Sequence, residues 1–436
     1  EGAVLIYRSV GPGSTSALAG GWTGTTLTVS GHTATLSTDL TLNIGVGDLF
    51  EYDSDDNGSL DALAFIAGRA SASVYTVQSL TGSGQAGLAS TSAADADWRL
   101  YRAYTSLDDA EGGAENTGCA LFGGAAADLP AAGDGYDIAA NNMQWNIACY
   151  ADGGDNDDVR IRDWTTSTYS YVNVYTPAET SEVGISQRHK GVWSTDYYYL
   201  SLSSYFLLAV NEPYVRINGL QLYQTKTTTD DHIITVDTSN TASDIYISNS
   251  ILRGSNPATD AHFGINFAGN SAAAIGTVYN NIIYDIGSGS SSVAAFRATN
   301  WDMDVFNNTV INATTGYMQP DDSYFGSRFV NNIAQECGDG FYAGWSFHAD
   351  SDYNISDIAG DAPGTNSLND VRVEFIDFEN DDFHLRDDDT VARDAGTDLS
   401  SDLSLAVTSD IDGTARGAGF DIGADEVPVD FVYTLT

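Results

Sequence analysis

One short unit recurs six times in the second half of the chain: VRINGL at 215–220, YISNSI at 246–251, VYNNII at 278–283, VFNNTV at 305–310, FVNNIA at 329–334 and DYNI at 352–355. Each is an apolar strand that ends in Asn and resumes with another apolar residue. The aligned residues are Asn218, Asn249, Asn280, Asn307, Asn331 and Asn354, spaced by 31, 31, 27, 24 and 23 residues. A fixed motif with variable filling is the mark of a solenoid, whose strands stack while its outer loops change length. Asparagine suits the corner because it tolerates left-handed backbone angles. Its amide can also donate to and accept from the same amide one repeat away. A β-sandwich with Asn in its turns would place strands every 8–12 residues and would not repeat one motif at this period. A leucine-rich solenoid is excluded by the missing Leu pattern.

The first hundred residues read differently. Thr25–Ser37, Leu42–Glu51 and Ser73–Ser79 are β-branched, alternating segments broken by Gly, which predicts a small all-β domain. Gly82–Asp97, rich in Gly, Ala and Ser, reads as a loop or linker. Ser106 followed by Asp109, with acids crowding the first turn, predicts one short helix.

Charge limits the partners. Sixty acidic residues face 17 basic ones, for a net charge of −43. Nucleic acid and anionic membranes need clustered cations, so neither is expected. No apolar run is long enough to span a bilayer. The acids divide into 49 Asp and 11 Glu. Such a bias fits Ca²⁺-binding loops or a surface kept soluble in salty surroundings. Both readings place the protein outside the cell or in a halophile. The first residue is Glu1, not Met, which is also compatible with removal of an export leader. Cys119, Cys149 and Cys337 lack metal spacing and allow at most one disulfide.

The C-terminal part adds DFHL at 382–385, ARDAG at 392–396 and DIDGTARGAGFDIGADE at 410–426. Together with the Asn repeats, these segments resemble the closing signature of secreted right-handed parallel β-helix proteins, related in fold to pectate lyases and phage tailspikes. The likeness covers roughly residues 130–426, with Thr390-Val391 standing where the family usually has Ser-Pro. It implies an all-β chain built as a right-handed parallel β-helix solenoid, with a small N-terminal β domain and a short capping helix. The expected boundaries are 1–100 for the N-terminal domain, 101–395 for the β-helix and 396–436 for the closing segment and terminal strand. This fold carries many functions, so the resemblance fixes no activity.

Candidate sites are few. Asp53, Asp55, Asn57, Ser59 and Asp61 fit the D-x-D-x-N-G-x-x-D pattern of a Ca²⁺ loop, with Gly58 at the sharp turn. The same residues would also build a solvated hairpin tip. Asp152, Asp155, Asp157 and Asp158 read as a solvated acidic loop. Arg188, His189 and Lys190, followed by Trp193 and Tyr197–Tyr199, are the one dense cationic and aromatic spot; covering the core explains them better than holding a sugar. The six histidines show no ligand spacing, and no catalytic motif emerges. At the termini, Val4, Leu5 and Ile6 form an apolar strand. Val429, Phe431, Tyr433 and Leu435 share one face of a period-two strand. The partner of the last strand is either the chain's own N-terminal domain or the next subunit, and the second case would give head-to-tail self-association by strand exchange. The expectation is an extracellular structural or adhesive protein that self-associates. A polysaccharide lyase or a glycan-binding module is the alternative.

Overall fold

The computed structural model describes residues 2–82, 88–122, 136–226, 231–238, 242–255, 262–268, 274–287, 293–320, 327–417 and 419–428. The chain is nearly all β, and its described strands form several parallel sheets, one seven-stranded antiparallel sheet and an antiparallel pair, Phe375–Asp377 with Asp382–Leu385. It divides into two compact units. The first comprises Glu1–Arg188, Thr195–Ser201 and Glu212–Asn218; the second comprises His189–Ser194, Leu202–Asn211 and Gly219–Thr436. The sequence-derived boundaries at 100 and 395 fall inside these units. No helix among the described residues is long and apolar enough to cross a membrane.

In the first unit, seven antiparallel strands run in the order Ala19–Gly20, Trp98–Tyr101, Leu49–Tyr52, Ala62–Arg69, Val74–Gln78, Thr33–Leu36 and Leu27–Ser30. Alternation in Leu27–Ser30 and Thr33–Leu36 drives one face into a core with Phe50, Tyr75 and Trp98. The stretch from Leu88 to Asp97 is not a linker. Its backbone pairs with Leu27 and Val29, and Leu88 and Ala89 pack on the core. Small residues made it look unstructured, yet an edge strand offers it hydrogen bonds.

Val4–Val10 does not join that sheet. It pairs in parallel with Met143–Cys149, which pairs with Val172–Tyr175, which pairs with Val215–Asn218. The inward residues Ile6, Trp145, Ile147, Val172 and Val174 are fully buried. Arg8 is also buried, with its guanidinium 3.7 Å from the Phe65 ring centre and a hydrogen bond to the Leu80 carbonyl. Val4, Leu5 and Ile6 are thus held within their own chain. Val429, Phe431, Tyr433 and Leu435 lie outside the described residues.

The helix forms at Leu107–Gly112, with Ser106 Oγ accepting the Asp109 N–H at 3.0 Å and Gly113 closing it in a left-handed conformation. Its first turn is met by Asp155, whose carboxylate accepts the Leu107 N–H (2.8 Å) and the Tyr198 hydroxyl (2.9 Å). Asp152 pairs with the buried Arg102 at 2.6 Å, and Arg102 also holds Asp48 at 2.8 Å. These two acids of the 152–158 run are therefore structural rather than solvated. Cys119, Cys149 and Cys337 are all free thiols.

In the second unit, three parallel ladders are fed in rotation. One holds Ser243–Ser248, Ala274–Tyr279, Asp302–Phe306 and Arg328–Val330. The next holds Gln221–Gln224, Ile251–Arg253, Ile282–Ile286, Thr309–Ala313, Ile333–Gln335, Ile355–Ser356 and Leu368–Asn369. The third holds Phe206–Val210, Asp231–Val236, His262–Phe267, Phe296–Ala298, Thr315–Gln319 and Asp339–Ala343. Because every third strand returns to the same ladder, equivalent side chains stack. Ile251, Ile282, Thr309, Ile333 and Ile355 line up in one buried column, each Ile contributing about 1.5–3 kcal/mol by burial.

The corners between the first two ladders are two residues long. The first corner residue is left-handed in every repeat: Gly219 (φ 79°), Asn249 (49°), Asn280 (53°), Asn307 (52°), Asn331 (58°) and Tyr353 (56°). The second is fully buried, and here the amides stack. Asn281 donates to Asn308 Oδ1 at 3.0 Å, Asn308 to Asn332 at 3.1 Å, and Asn332 to Asn354 at 3.1 Å. Two residues of the expected ladder are therefore displaced. Asn354 belongs to this inner column, and Asn218 precedes the corner, where Gly219 takes the left-handed angle. Asn249, Asn280, Asn307 and Asn331 share the outer column; Asn280 donates to Asn249 Oδ1 at 3.2 Å.

The outer amides also seat the C-terminal segment. Asn280 Nδ2 donates to the Ser409 carbonyl (2.7 Å), Asn307 to the Asp421 carbonyl (3.2 Å) and Asn331 to the Thr397 carbonyl (2.8 Å). The closing signature thus runs across the repeats. Its Arg416 is buried, pairs with Glu426 at 3.2 Å and donates to Asn280 Oδ1 at 3.1 Å.

Candidate functional site

Two polar sites and one histidine pair stand out, and the sequence pointed to only one of them. That one is the hairpin tip between Leu49–Tyr52 and Ala62–Arg69. The Asp53 carboxylate accepts the N–H groups of Asp55 (3.1 Å), Asp56 (2.9 Å) and Gly58 (2.6 Å). Burial pushes the Asp53 pKa up, but these donors outweigh it and hold the group low. Asp61 accepts the Ser54 N–H at 2.8 Å, and Asn57 Oδ1 accepts the Ser59 N–H at 2.9 Å. Carboxylate oxygens of Asp53, Asp55 and Asp61 lie within 4.8 Å of one another, as do those of Asp53, Asp95 and Asp97. The loop therefore closes on its own hydrogen bonds, and four further carboxylates gather around Asp53. Oxygen donors of this kind fit a hard divalent cation.

The second site is a groove of about 260 Å³ on the outer face of the ladder that begins with Val4–Val10. Parallel register sets its floor. Tyr7, Asn146, Asn173 and Arg216 lie in one lane across four strands, and Ser9, Ala148, Tyr175 and Asn218 in the next. Neighbours in a lane sit about 4.8 Å apart. Alternation explains the chemistry: Ile6, Trp145, Val172 and Val215, then Ile147, Val174 and Ile217, face inward, so the side chains between them face out. Asn173 donates to Asn146 Oδ1 at 3.1 Å, and Asn146 donates to the Ile6 carbonyl at 3.2 Å.

Glu179, Glu182 and Arg188 complete the wall. Tyr175 donates its hydroxyl to Glu182 at 3.0 Å, and Arg188 donates to the Asn218 side-chain oxygen. Burial first, then the Glu182 charge, raises the pKa of both Tyr7 and Tyr175, which keeps them neutral phenols. The groove thus offers phenol and amide donors, two carboxylates and one guanidinium. Of the cationic spot noticed in the sequence, Arg188 lines this groove. His189 is buried and hydrogen-bonds the Asn249 carbonyl at 2.8 Å. Trp193 packs edge-on against Tyr223, with ring centres 5.7 Å apart. Asn218, expected in the amide ladder, is instead a groove residue. Only the strand register brings Tyr7, Asn146, Asn173 and Tyr175 together, which is why motif reading passed over them.

Elsewhere, His262 pairs with Asp231 on neighbouring strands of the third ladder, and both are buried. His232 stacks on Phe263 with ring centres 5.0 Å apart. Burial makes this pair a fixture of the core rather than an open site. No protein-family model matches the chain, and no curated protein is significantly similar to it.

Proposed function

We propose that this chain is an extracellular adhesive protein of right-handed parallel β-helix architecture that holds a hydroxyl-rich polysaccharide in the groove beneath Tyr7 and Tyr175. Three ladders fed in rotation, two-residue corners and stacked amides support the architecture. In that architecture the helix at Leu107–Gly112 acts as a cap, because it packs against Val4–Val10, Met143–Cys149 and Val159–Ile161. The single observation that carries the binding reading is the convergence of Tyr7, Asn146, Asn173, Tyr175, Glu182 and Arg188 on one open groove. Sugar hydroxyls both donate and accept, and this wall does both. One cation against two carboxylates, on a chain of net charge −43, favours a neutral polymer over an anionic one.

Strand exchange is the weaker form of the assembly idea, since Val4–Ile6 is paired within its own chain. Adhesion through the groove needs no such exchange. Affinity electrophoresis in gels containing neutral or uronate polysaccharides tests the reading. Retardation by a neutral polymer, lost in Glu182→Gln and in Tyr175→Phe, supports it. Equal mobility in every gel, or retention of binding by both variants, overturns it.

A further inference from the structure

Trp22 is 64% exposed, unusual for a side chain that normally hides most of its surface. It is nevertheless held in place. It sits in the 3₁₀ turn Gly21–Thr23, closed by Gly24 at φ 83° and by Thr23 Oγ1 bonded to the Gly20 carbonyl at 3.0 Å. The indole lies so close over Gly20 that a Cβ there would stand 1.9 Å from the ring; at Gly21 a Cβ would stand 1.6 Å from the Ala96 carbonyl. Gly20 therefore lets the indole lie against the backbone, and Gly21 lets the turn close on Ala96.

The ring borders a cleft of about 380 Å³ that also takes in Leu60, Asp97, Trp98 and Arg99. Trp98 is 2% exposed, and its indole N–H is engaged by the Thr25 carbonyl at 2.9 Å, so it forms floor rather than a binding handle. The exposed Asp97 and Arg99 supply an acceptor and a donor beside a fixed aromatic platform. This cleft lies on the antiparallel sheet and shares no residue with the groove lined by Tyr7 and Tyr175.

We propose that this cleft is a second carbohydrate site, which takes one neutral pyranose with the apolar face of its ring stacked on Trp22 and its hydroxyls shared between Asp97 and Arg99. A few placed polar groups around an apolar surface are what fixes a small ligand. Anionic sugars are excluded by the carboxylates of Asp53, Asp55, Asp95 and Asp97, which crowd the adjoining hairpin tip.

The test is intrinsic tryptophan fluorescence, backed by calorimetry, with cellohexaose, mannohexaose, chitohexaose and an oligogalacturonate as probes. The expected result is an emission change with a neutral hexamer and none with the galacturonate. Trp22→Ala should weaken that binding about tenfold or more, as loss of a central aromatic anchor does, while Trp22→Phe keeps part of it. Tyr175→Phe and Glu182→Gln leave this signal intact, which separates the cleft from the groove. Failure of all neutral probes, preference for the galacturonate, or full affinity in Trp22→Ala overturns the proposal.

Discussion

The side-chain amide of Asn308 is bonded to the side-chain oxygen of Asn332, one repeat further on, at 3.1 Å, and the same oxygen accepts the Asn308 backbone N–H at 3.0 Å. A single buried oxygen thus anchors both the side chain and the backbone of its neighbour.

Asn332→Ala is accordingly expected to cost about 2–4 kcal/mol, because it strands the buried Asn308 backbone N–H and removes one donor each from the Val305 carbonyl, the Val330 carbonyl and Asn354 Oδ1. Asn249→Gly, in the outer column, should change stability far less, since glycine adopts the left-handed angle freely. Urea denaturation of both variants checks this. Equal losses would show that the two columns do the same work.

Arg416→Ala leaves Glu426 charged and buried. Removing one partner of such a pair costs about 3–5 kcal/mol. The damage is expected to concentrate in the C-terminal segment, so limited proteolysis should cut between 396 and 428 before it cuts the ladders. Protection equal to that of the parent protein would contradict the pairing.

The same segment should hold more tightly in mild acid than in mild alkali. Burial and then Asp412 raise the pKa of Asp410, and burial raises that of Asp421 to about 7. Asp425 moves up for the same reason. For His384, burial lowers the pKa but Asp425, Asp382 and Asp412 outweigh it, so it too is raised. Each of these groups binds its proton more tightly folded than unfolded. Stability therefore falls as pH rises from the ordinary carboxylate range through about 7 and above. Arg416 and Glu426 face the same cluster and pair with each other at 3.2 Å. Asp402 works the other way: burial raises it, yet Arg328 and Ser404 hold it well below the usual range, so its contribution is lost in strong acid. Protection factors of residues 396–428, each corrected for the intrinsic base-catalysed exchange rate, should be larger near pH 6 than near pH 9, and Asp410→Asn should flatten the difference. Identical protection factors at both values would refute it.

For the hairpin tip, Asp53→Ala should lower the melting temperature with or without Ca²⁺, because Asp53 closes the loop through three N–H bonds. The exposed Asp55 is the cleaner probe. If the loop holds Ca²⁺, the ion raises the melting temperature of the parent protein, and Asp55→Asn abolishes that rise while melting like the parent in chelator. No Ca²⁺-dependent shift in the parent would dismiss the ion.

How much was legible follows from where the information sits. The corner asparagines were visible because a left-handed angle and a buried amide both demand one residue type, so VYNNII and VFNNTV repeat in plain sight. Asn218 and Asn354 were misaligned by one residue, since Gly219 and Tyr353 take the left-handed position at those corners. Ala62–Arg69 is hidden because its central side chains are buried on both faces and alternation is lost, and Trp98–Tyr101 because four residues are too few to show a period. The groove was hidden for a different reason. Tyr7, Asn146, Asn173 and Tyr175 become neighbours only through pairing between distant strands, and no local pattern encodes that register.

Stacked repeats ordinarily touch only the next in line, so an array can lose cohesion piecemeal from either end. Here the carbonyls of Thr397, Ser409 and Asp421 tie down amides from three successive turns of chain, at Asn331, Asn280 and Asn307. Such a strap forces those turns to melt as one body, converting a row of weakly coupled modules into a single cooperative block.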